Sequence, residues 1–216
     1  MKTYLCCVLL VVVTLATAHA QQHPISISSV ANKNWCASGQ INCSTLPFGT
    51  KSYNGVTFHI PGDASTNNAW FAYWAVNGGG GKASVTIPVN IAKVRTVYTL
   101  MNTDWGSTEK GLLSITFTGS KGATWTYNPL GNVNIRDYNH GVYTNSIDCG
   151  LPAGVGKSTT VTAFNNGKGQ RLDMQIYELP ASFEGQTLLK ITIDDLGATN
   201  VQRSFIAAVT VSTAAP

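Results

Sequence analysis

Leu113-Ser114-Ile115-Thr116-Phe117, then Gly119-Ser120-Lys121-Gly122, then Ala123-Thr124-Trp125-Thr126-Tyr127 is the stretch that decides the fold. Apolar side chains stand at every second position on both sides of a glycine-bracketed turn. Successive strand residues point to opposite faces. The pattern therefore buries one face of a hairpin and leaves a Ser/Thr face in water. A helix would need apolar residues three and four apart, and no window of this chain sustains that spacing.

The same period recurs outward from this hairpin. Val56, Phe58 and Ile60 alternate with Thr57 and His59, and Val85, Ile87 and Val89 with Thr86 and Pro88. Val94, Tyr98 and Leu100 are expected to share one face. Leu172, Met174 and Ile176 alternate with Arg171, Asp173 and Gln175, and Leu189, Ile191 and Ile193 with Lys190 and Thr192. Phe205, Ala207, Val209 and Val211 form the last expected face. Ile25 to Val30 and Thr159 to Phe164 are weaker strands. Asn54-Gly55 and Asn166-Gly167-Lys168-Gly169 are turn signals. Pro180 to Gly185 has room for one helical turn. About nine or ten short strands with one apolar face each predict an all-β fold, two antiparallel sheets packed as a β-sandwich, in jelly-roll form.

The N-terminus carries a different signal. Lys2, the apolar run Leu5 to Leu15 and the Ala18-His19-Ala20 stop read as a secretory signal peptide over residues 1–20. The run is too short to cross about 30 Å of hydrocarbon, so no membrane insertion is expected. The expected location is secreted and extracellular. Residues 21–216 then form one β-sandwich domain, with 21–52 a strand and a disulfide-pinned loop and 53–212 the jelly-roll core. An immunoglobulin frame does not fit, because Cys43 and Cys149 lie too far apart.

Only 11% of the chain is charged and its net charge is +4, with the basic residues scattered. Nucleic acid needs a clustered cationic face, so it is not an expected partner. Of the five cysteines, Cys6 and Cys7 lie in the leader. Cys36 with Cys43 is the expected disulfide, and a bridge from Cys149 to either of them is the rival. Asn42-Cys43-Ser44 is a glycosylation sequon at Asn42, though a bridged Cys43 would hinder its use.

Gln170 to Pro180, Leu188 to Ile193 and Phe205 to Val211 together resemble the closing strands of galactose-binding-like jelly rolls, the domains of carbohydrate-binding modules and discoidin-type proteins. Gly55 to Pro61, Ile87-Pro88-Val89 and Val97 to Leu100 extend the resemblance. It implies sugar or glycan binding at loops on one edge. It also implies a possible structural calcium near Gly62 to Asn68 or Asp194-Asp195, although no loop holds a complete calcium motif. No other cofactor is expected. Fold alone does not fix function.

Two loops hold the residues a sugar needs. Asp104 and Trp105 follow an apolar strand, and Arg136, Asp137, Tyr138, Asn139 and His140 lie together further on. An indole or phenol ring covers the C–H face of a sugar, while Asp, Asn and Arg take its hydroxyls in paired hydrogen bonds. The competing reading is an internal Arg136–carboxylate bridge pinning a loop, with Trp105 capping the core. Trp70, Phe71, Tyr73 and Trp74 form an aromatic cluster that reads first as core.

Catalytic signals are thin. Gly154 to Thr159 resembles the end of a phosphate-binding loop, but Leu151 stands where that motif needs glycine, and a strand follows. Ser107-Thr108-Glu109-Lys110 has Ser-x-x-Lys spacing without its partner motifs. His23, His59 and His140 are too dispersed for a zinc set. Asp194 and Asp195 are strand neighbours and face opposite sides, unlike the facing carboxyls of a glycosidase. The expectation is a non-catalytic domain, a monomer or weak oligomer, that binds a glycan or glycoprotein. The alternatives are an extracellular structural or adhesive matrix protein and a glycoside-active hydrolase on the same sandwich.

Overall fold

A computed structural model describes residues 20–34, 46–62, 66–72, 82–104, 111, 113–131, 133–139, 158–196 and 203–213. Residues 1–19 of the leader, Cys36, Asn42, Cys43, Cys149, Trp105 and His140 lie outside them, as do Asp63, Tyr73, Trp74 and most of the Gly154 to Thr159 turn.

The strands are β1 (Gln22–Ile25), β2 (Gly49–Tyr53), β3 (Val56–Ile60), β4 (Trp70–Phe71), β5 (Ala83–Ala92), β6 (Val94–Asp104), β7 (Leu113–Gly119), β8 (Thr124–Tyr127), β9 (Ser158–Asn165), β10 (Arg171–Glu178), β11 (Thr187–Asp195) and β12 (Arg203–Thr213). One 3-10 turn covers Ala181–Phe183. Among the described residues no helix is long and apolar enough to cross a membrane. A six-stranded sheet runs β1-β12-β6-β10-β9, with β4 also on β12. A four-stranded sheet runs β5-β11-β7-β8, and β2 and β3 form a hairpin. All the strand pairs are antiparallel.

The fold is an all-β, two-sheet sandwich. Ile87, Ile115, Phe117, Ile191 and Ile193 of the four-stranded sheet pack on Val97, Met101, Tyr177, Val209 and Val211 of the six-stranded sheet. The six-stranded sheet is covered on its other face as well. Phe58 and Ile60 of the hairpin meet Leu100, Leu172, Met174 and Phe205 there. A strand buried on both faces loses the polar half of its alternation, and β12 is buried from Arg203 to Ser212.

Two expected faces are corrected by register breaks. The β12–β6 pairing shifts between Ile206 and Ala208. Phe205 and Ala207 therefore face the hairpin, while Val209 and Val211 face the opposite sheet. A second shift between Ser212 and Thr213 separates Val94 from Tyr98 and Leu100. Such a bulge changes which side every later residue points to. The strand expected over Ile25 to Val30 ends at Ile25, because Val30 and Ala31 donate their N–H groups back to Ile27 O in a turn. The Asn54-Gly55 turn is as expected, with φ of 49° and 79°. Trp70 and Phe71 are buried, as their core reading required.

The two ends of the sandwich differ. At one end the connections are short or internally bonded: Lys93 alone between β5 and β6, 120–123 between β7 and β8, and 179–186, which holds the 3-10 turn, between β10 and β11. Gln186 knits them. Its carbonyl accepts Lys93 N–H at 2.9 Å and its side-chain oxygen accepts Lys121 N–H at 2.7 Å. At the other end Asp195 stands opposite Ala83 and Leu113, and Arg203 opposite Asp104. The segments 72–82, 105–112 and 196–202 leave and return there, and 128–157 leaves from it. Asp195 Oδ2 joins the two sheets at this end, accepting Ser204 N–H at 2.9 Å and Ser204 Oγ–H at 2.7 Å.

Candidate functional site

The loop end is built around a split in the larger sheet. β6 and β10 pair as far as Leu100 opposite Met174. Beyond that rung the Asn102 side chain replaces the ladder, its Oδ1 accepting Asp173 N–H at 2.9 Å. Further out, residues 136–138 enter as an inserted segment, with an isolated parallel bridge from Asp137 to Thr103. Thr103 N–H donates to Arg136 O at 3.0 Å, Tyr138 N–H to Thr103 O at 2.9 Å, and Arg171 N–H to Tyr138 O at 2.9 Å. Backbone groups must find partners wherever a ladder opens, and this segment supplies them.

Charges line the split. Arg136 forks onto Asp173, with Nε 2.7 Å from Oδ2 and Nη2 2.9 Å from Oδ1. Its Nη2 also donates to Thr162 Oγ1 at 2.7 Å, and Asn102 Nδ2 donates to Asp173 Oδ2 at 2.8 Å. Arg136 is 7% exposed and Asp173 0%, so this is a buried bidentate pair with its spare acceptors filled. Arg171 reaches Asp137 O from Nε at 3.1 Å and Nη2 at 2.9 Å. Burial, and then the Arg136 charge, push the Arg171 guanidinium down to about 10.

A second pair stands beside the first. Arg203 Nη2 lies 2.7 Å from Asp104 Oδ2, an ion contact that lacks hydrogen-bond alignment at that oxygen. Burial raises the Asp104 carboxyl to about 6; Arg203 opposes the rise and Asp137 adds to it. The Tyr138 phenol is pushed up by burial and by the nearby Asp104 and Asp137 carboxylates.

Of the residues the sequence nominated, Asp104, Arg136, Asp137, Tyr138 and Asn139 all lie at this end. They occupy different depths. Arg136 makes the internal carboxylate bridge, to Asp173. Asp137 Oδ1 accepts Asn139 N–H at 2.7 Å, turning the chain outward. The Tyr138 ring is buried edge-on to Phe205, with centroids 6.0 Å apart. Asn139 is exposed. Asp194 and Asp195 face opposite sides, as strand neighbours must: Asp194 Oδ1 is 3.8 Å from Lys82 Nζ, while Asp195 is buried on Ser204. Among the described residues no group of three or more His, Cys, Asp or Glu is arranged to hold a metal.

Sequence reasoning missed Arg171, Asp173 and Arg203. Arg171 and Asp173 were read as the wet half of an alternating strand, whereas both are buried. One signal was present. Opposite charges two residues apart share a strand face, and in a chain so poor in charge such a pair points to internal use.

No protein-family model and no curated protein matches this chain.

Proposed function

We propose that the protein is a secreted, non-catalytic β-sandwich that binds carbohydrate or glycoprotein through the loop end. The observation that carries the reading is that several connections leave the sandwich at the end where the buried charge network lies. The segments 105–112, 128–139 and 196–202 are rooted on Asp104, Arg136, Asp137, Asp195 and Arg203, all held by ion pairs or multiple hydrogen bonds. A recognition surface gains affinity when its supports are already ordered, because less entropy is lost on binding. Of the seven nominated residues, Trp105, Asn139 and His140 are the contacts proposed here, while Asp104, Arg136, Asp137 and Tyr138 are buried and support the fold.

The strand order supports the jelly-roll reading. β4-β12-β6-β10 faces β5-β11-β7-β8, and the chain passes repeatedly between the two sets. The leader over residues 1–20, the Cys36–Cys43 bridge and glycosylation at Asn42 belong to the same extracellular reading.

A glycan array probed with the processed chain tests the function. Binding is expected, and it should be lost in Trp105→Ala and reduced in Asn139→Ala with the melting temperature unchanged. An array without any bound glycan, or binding that survives both substitutions, refutes it.

A hydrolase is the second reading, and one observation favours it: Asp104 is held near pH 6, within range of a proton donor. Turnover of a glycoside panel that disappears in Asp104→Asn would establish that reading instead.

A further inference from the structure

The sheets end in strands of unequal protection. β1 carries Pro24, and its Gln22 side chain bonds Gly55 O at 2.9 Å and Thr57 N–H at 2.8 Å. β5 carries Pro88 and the left-handed Asn90, φ 57°. β2 holds the exposed Lys51 at its centre. β3 has Thr57 O bonded by Thr210 Oγ1–H at 2.6 Å. β9 is irregular where it meets Leu172 and Asp173, and its Thr160 hydroxyl donates to Asn134 O at 2.8 Å. Proline, charge, bulges and cover are the usual means of stopping one sheet from adding to another.

Among the described residues, β8 has none of these. Thr124-Trp125-Thr126-Tyr127 is uncharged, contains no proline and pairs without a break with Thr118 to Ile115. Gly119 N–H donates to Ala123 O at 2.7 Å. Bonded pairs recur every second residue in an antiparallel ladder, so Trp125 and Tyr127 turn their backbone groups to β7. Thr124 and Thr126 turn theirs to the open edge. Both are exposed, and the hydrogen bond found for either beyond the ladder is that between the Thr126 and Thr116 hydroxyls, 2.9 Å apart.

We propose that this edge is a self-association surface, on which β8 of a second copy adds antiparallel across a twofold axis at Trp125. The register is self-complementary. Thr124 of one copy falls opposite Thr126 of the other, and the pairing closes about four backbone hydrogen bonds. The solvent face of the sheet already carries Thr86, Thr192, Thr116 and Thr126 in one row across its strands. Thr86 and Thr192 oxygens are 3.2 Å apart. The second copy continues that row with cross-strand threonine pairs, a favourable combination, and brings no like charges together. Trp125 meets its counterpart on the other face. Its ring already stacks on Phe117, centroids 5.1 Å apart, so the added contact forms on a fixed aromatic base. A four-residue strand buries little area, so the dimer is weak and depends on concentration.

Sedimentation equilibrium of the processed chain over rising concentration tests this. The weight-average mass should climb toward about twice the monomer value, a twofold assembly being the closed form. Thr126→Pro deletes an outward N–H and no bond to β7, and Thr124→Lys/Thr126→Lys sets like charges against each other. Both should remain monomeric with the circular-dichroism spectrum of the parent; the lysine variant decides the matter if the proline variant fails to fold. A parent chain that stays monomeric throughout, or a folded lysine variant that dimerises equally well, overturns the proposal.

Discussion

Replacing Asp173 with alanine is the most direct test of the split-sheet geometry. Asp173 receives two donors from Arg136, at 2.7 and 2.9 Å, and one from Asn102 at 2.8 Å. The substitution leaves the Arg136 guanidinium inside the protein without its bidentate carboxylate, while Nη2 still donates to Thr162 Oγ1 at 2.7 Å. Removing one member of a buried ion pair costs about 3–5 kcal/mol, chiefly from the charge left behind. Folded domains have about 5–15 kcal/mol in all, so Asp173→Ala should move the urea midpoint a long way without changing the slope. The double variant Arg136→Met/Asp173→Leu removes both charges and keeps the bulk. It should recover most of that loss, since a well-packed apolar pair often matches a buried salt bridge. The cycle completed with Arg136→Met measures the coupling directly. A loss below about 1 kcal/mol in Asp173→Ala would mean that Arg136 reaches water, a result that removes the buried fork from the description.

Three further outcomes follow from the same geometry. Asp104 has a folded value of about 6 against 3.8 for the free group, so the folded chain binds this proton more tightly than the unfolded chain does. As pH falls from 7 to 4 this one group should add about 2 kcal/mol of stability, and the extra slope should vanish in Asp104→Asn when urea midpoints are compared across that range. Gly55→Ala should cost about 1–2 kcal/mol by thermal melting, because φ is +79° there and no atom lies near enough to clash, leaving only the left-handed backbone penalty. Gln186→Ala should cost about 1 kcal/mol by urea unfolding, through loss of the acceptor for Lys121 N–H.

The strands of the smaller sheet were legible because each has one dry face and one wet face. Leu113, Ile115 and Phe117 point inward, with Ser114, Thr116 and Thr118 outward, and the sequence alternates accordingly. β12 is different. It lies between two apolar layers, so Phe205-Ile206-Ala207-Ala208-Val209 runs without alternation and its bulge leaves no mark in composition. β2 escaped notice for the opposite reason. Gly-Thr-Lys-Ser-Tyr has one face of the hairpin in water and little apolar content, and its partner β3 supplies the buried residues Val56, Phe58 and Ile60.

The candidate site was legible in place but not in depth. A run such as Arg136-Asp137-Tyr138-Asn139 has the same letters whether it meets a sugar or fills a gap between strands. What separates the two is the opening of β6 from β10 at Asn102, a tertiary event with no local signature. Once that gap exists, the energetics favour a segment that brings its own backbone partners and an arginine, because Asp173 has been carried inside by its strand and needs a cation. Depth then sorts the run by chemistry. Arg136 and Tyr138 point into the gap and stabilise it, while Asp137 bonds Asn139 N–H and directs that residue to the surface. Under the proposed function, a ligand at this end would meet the exposed Asn139, with the buried charge network as its support. On that account, substitutions at the buried residues should weaken binding only as far as they weaken the fold, whereas substitutions at Asn139 should weaken binding alone.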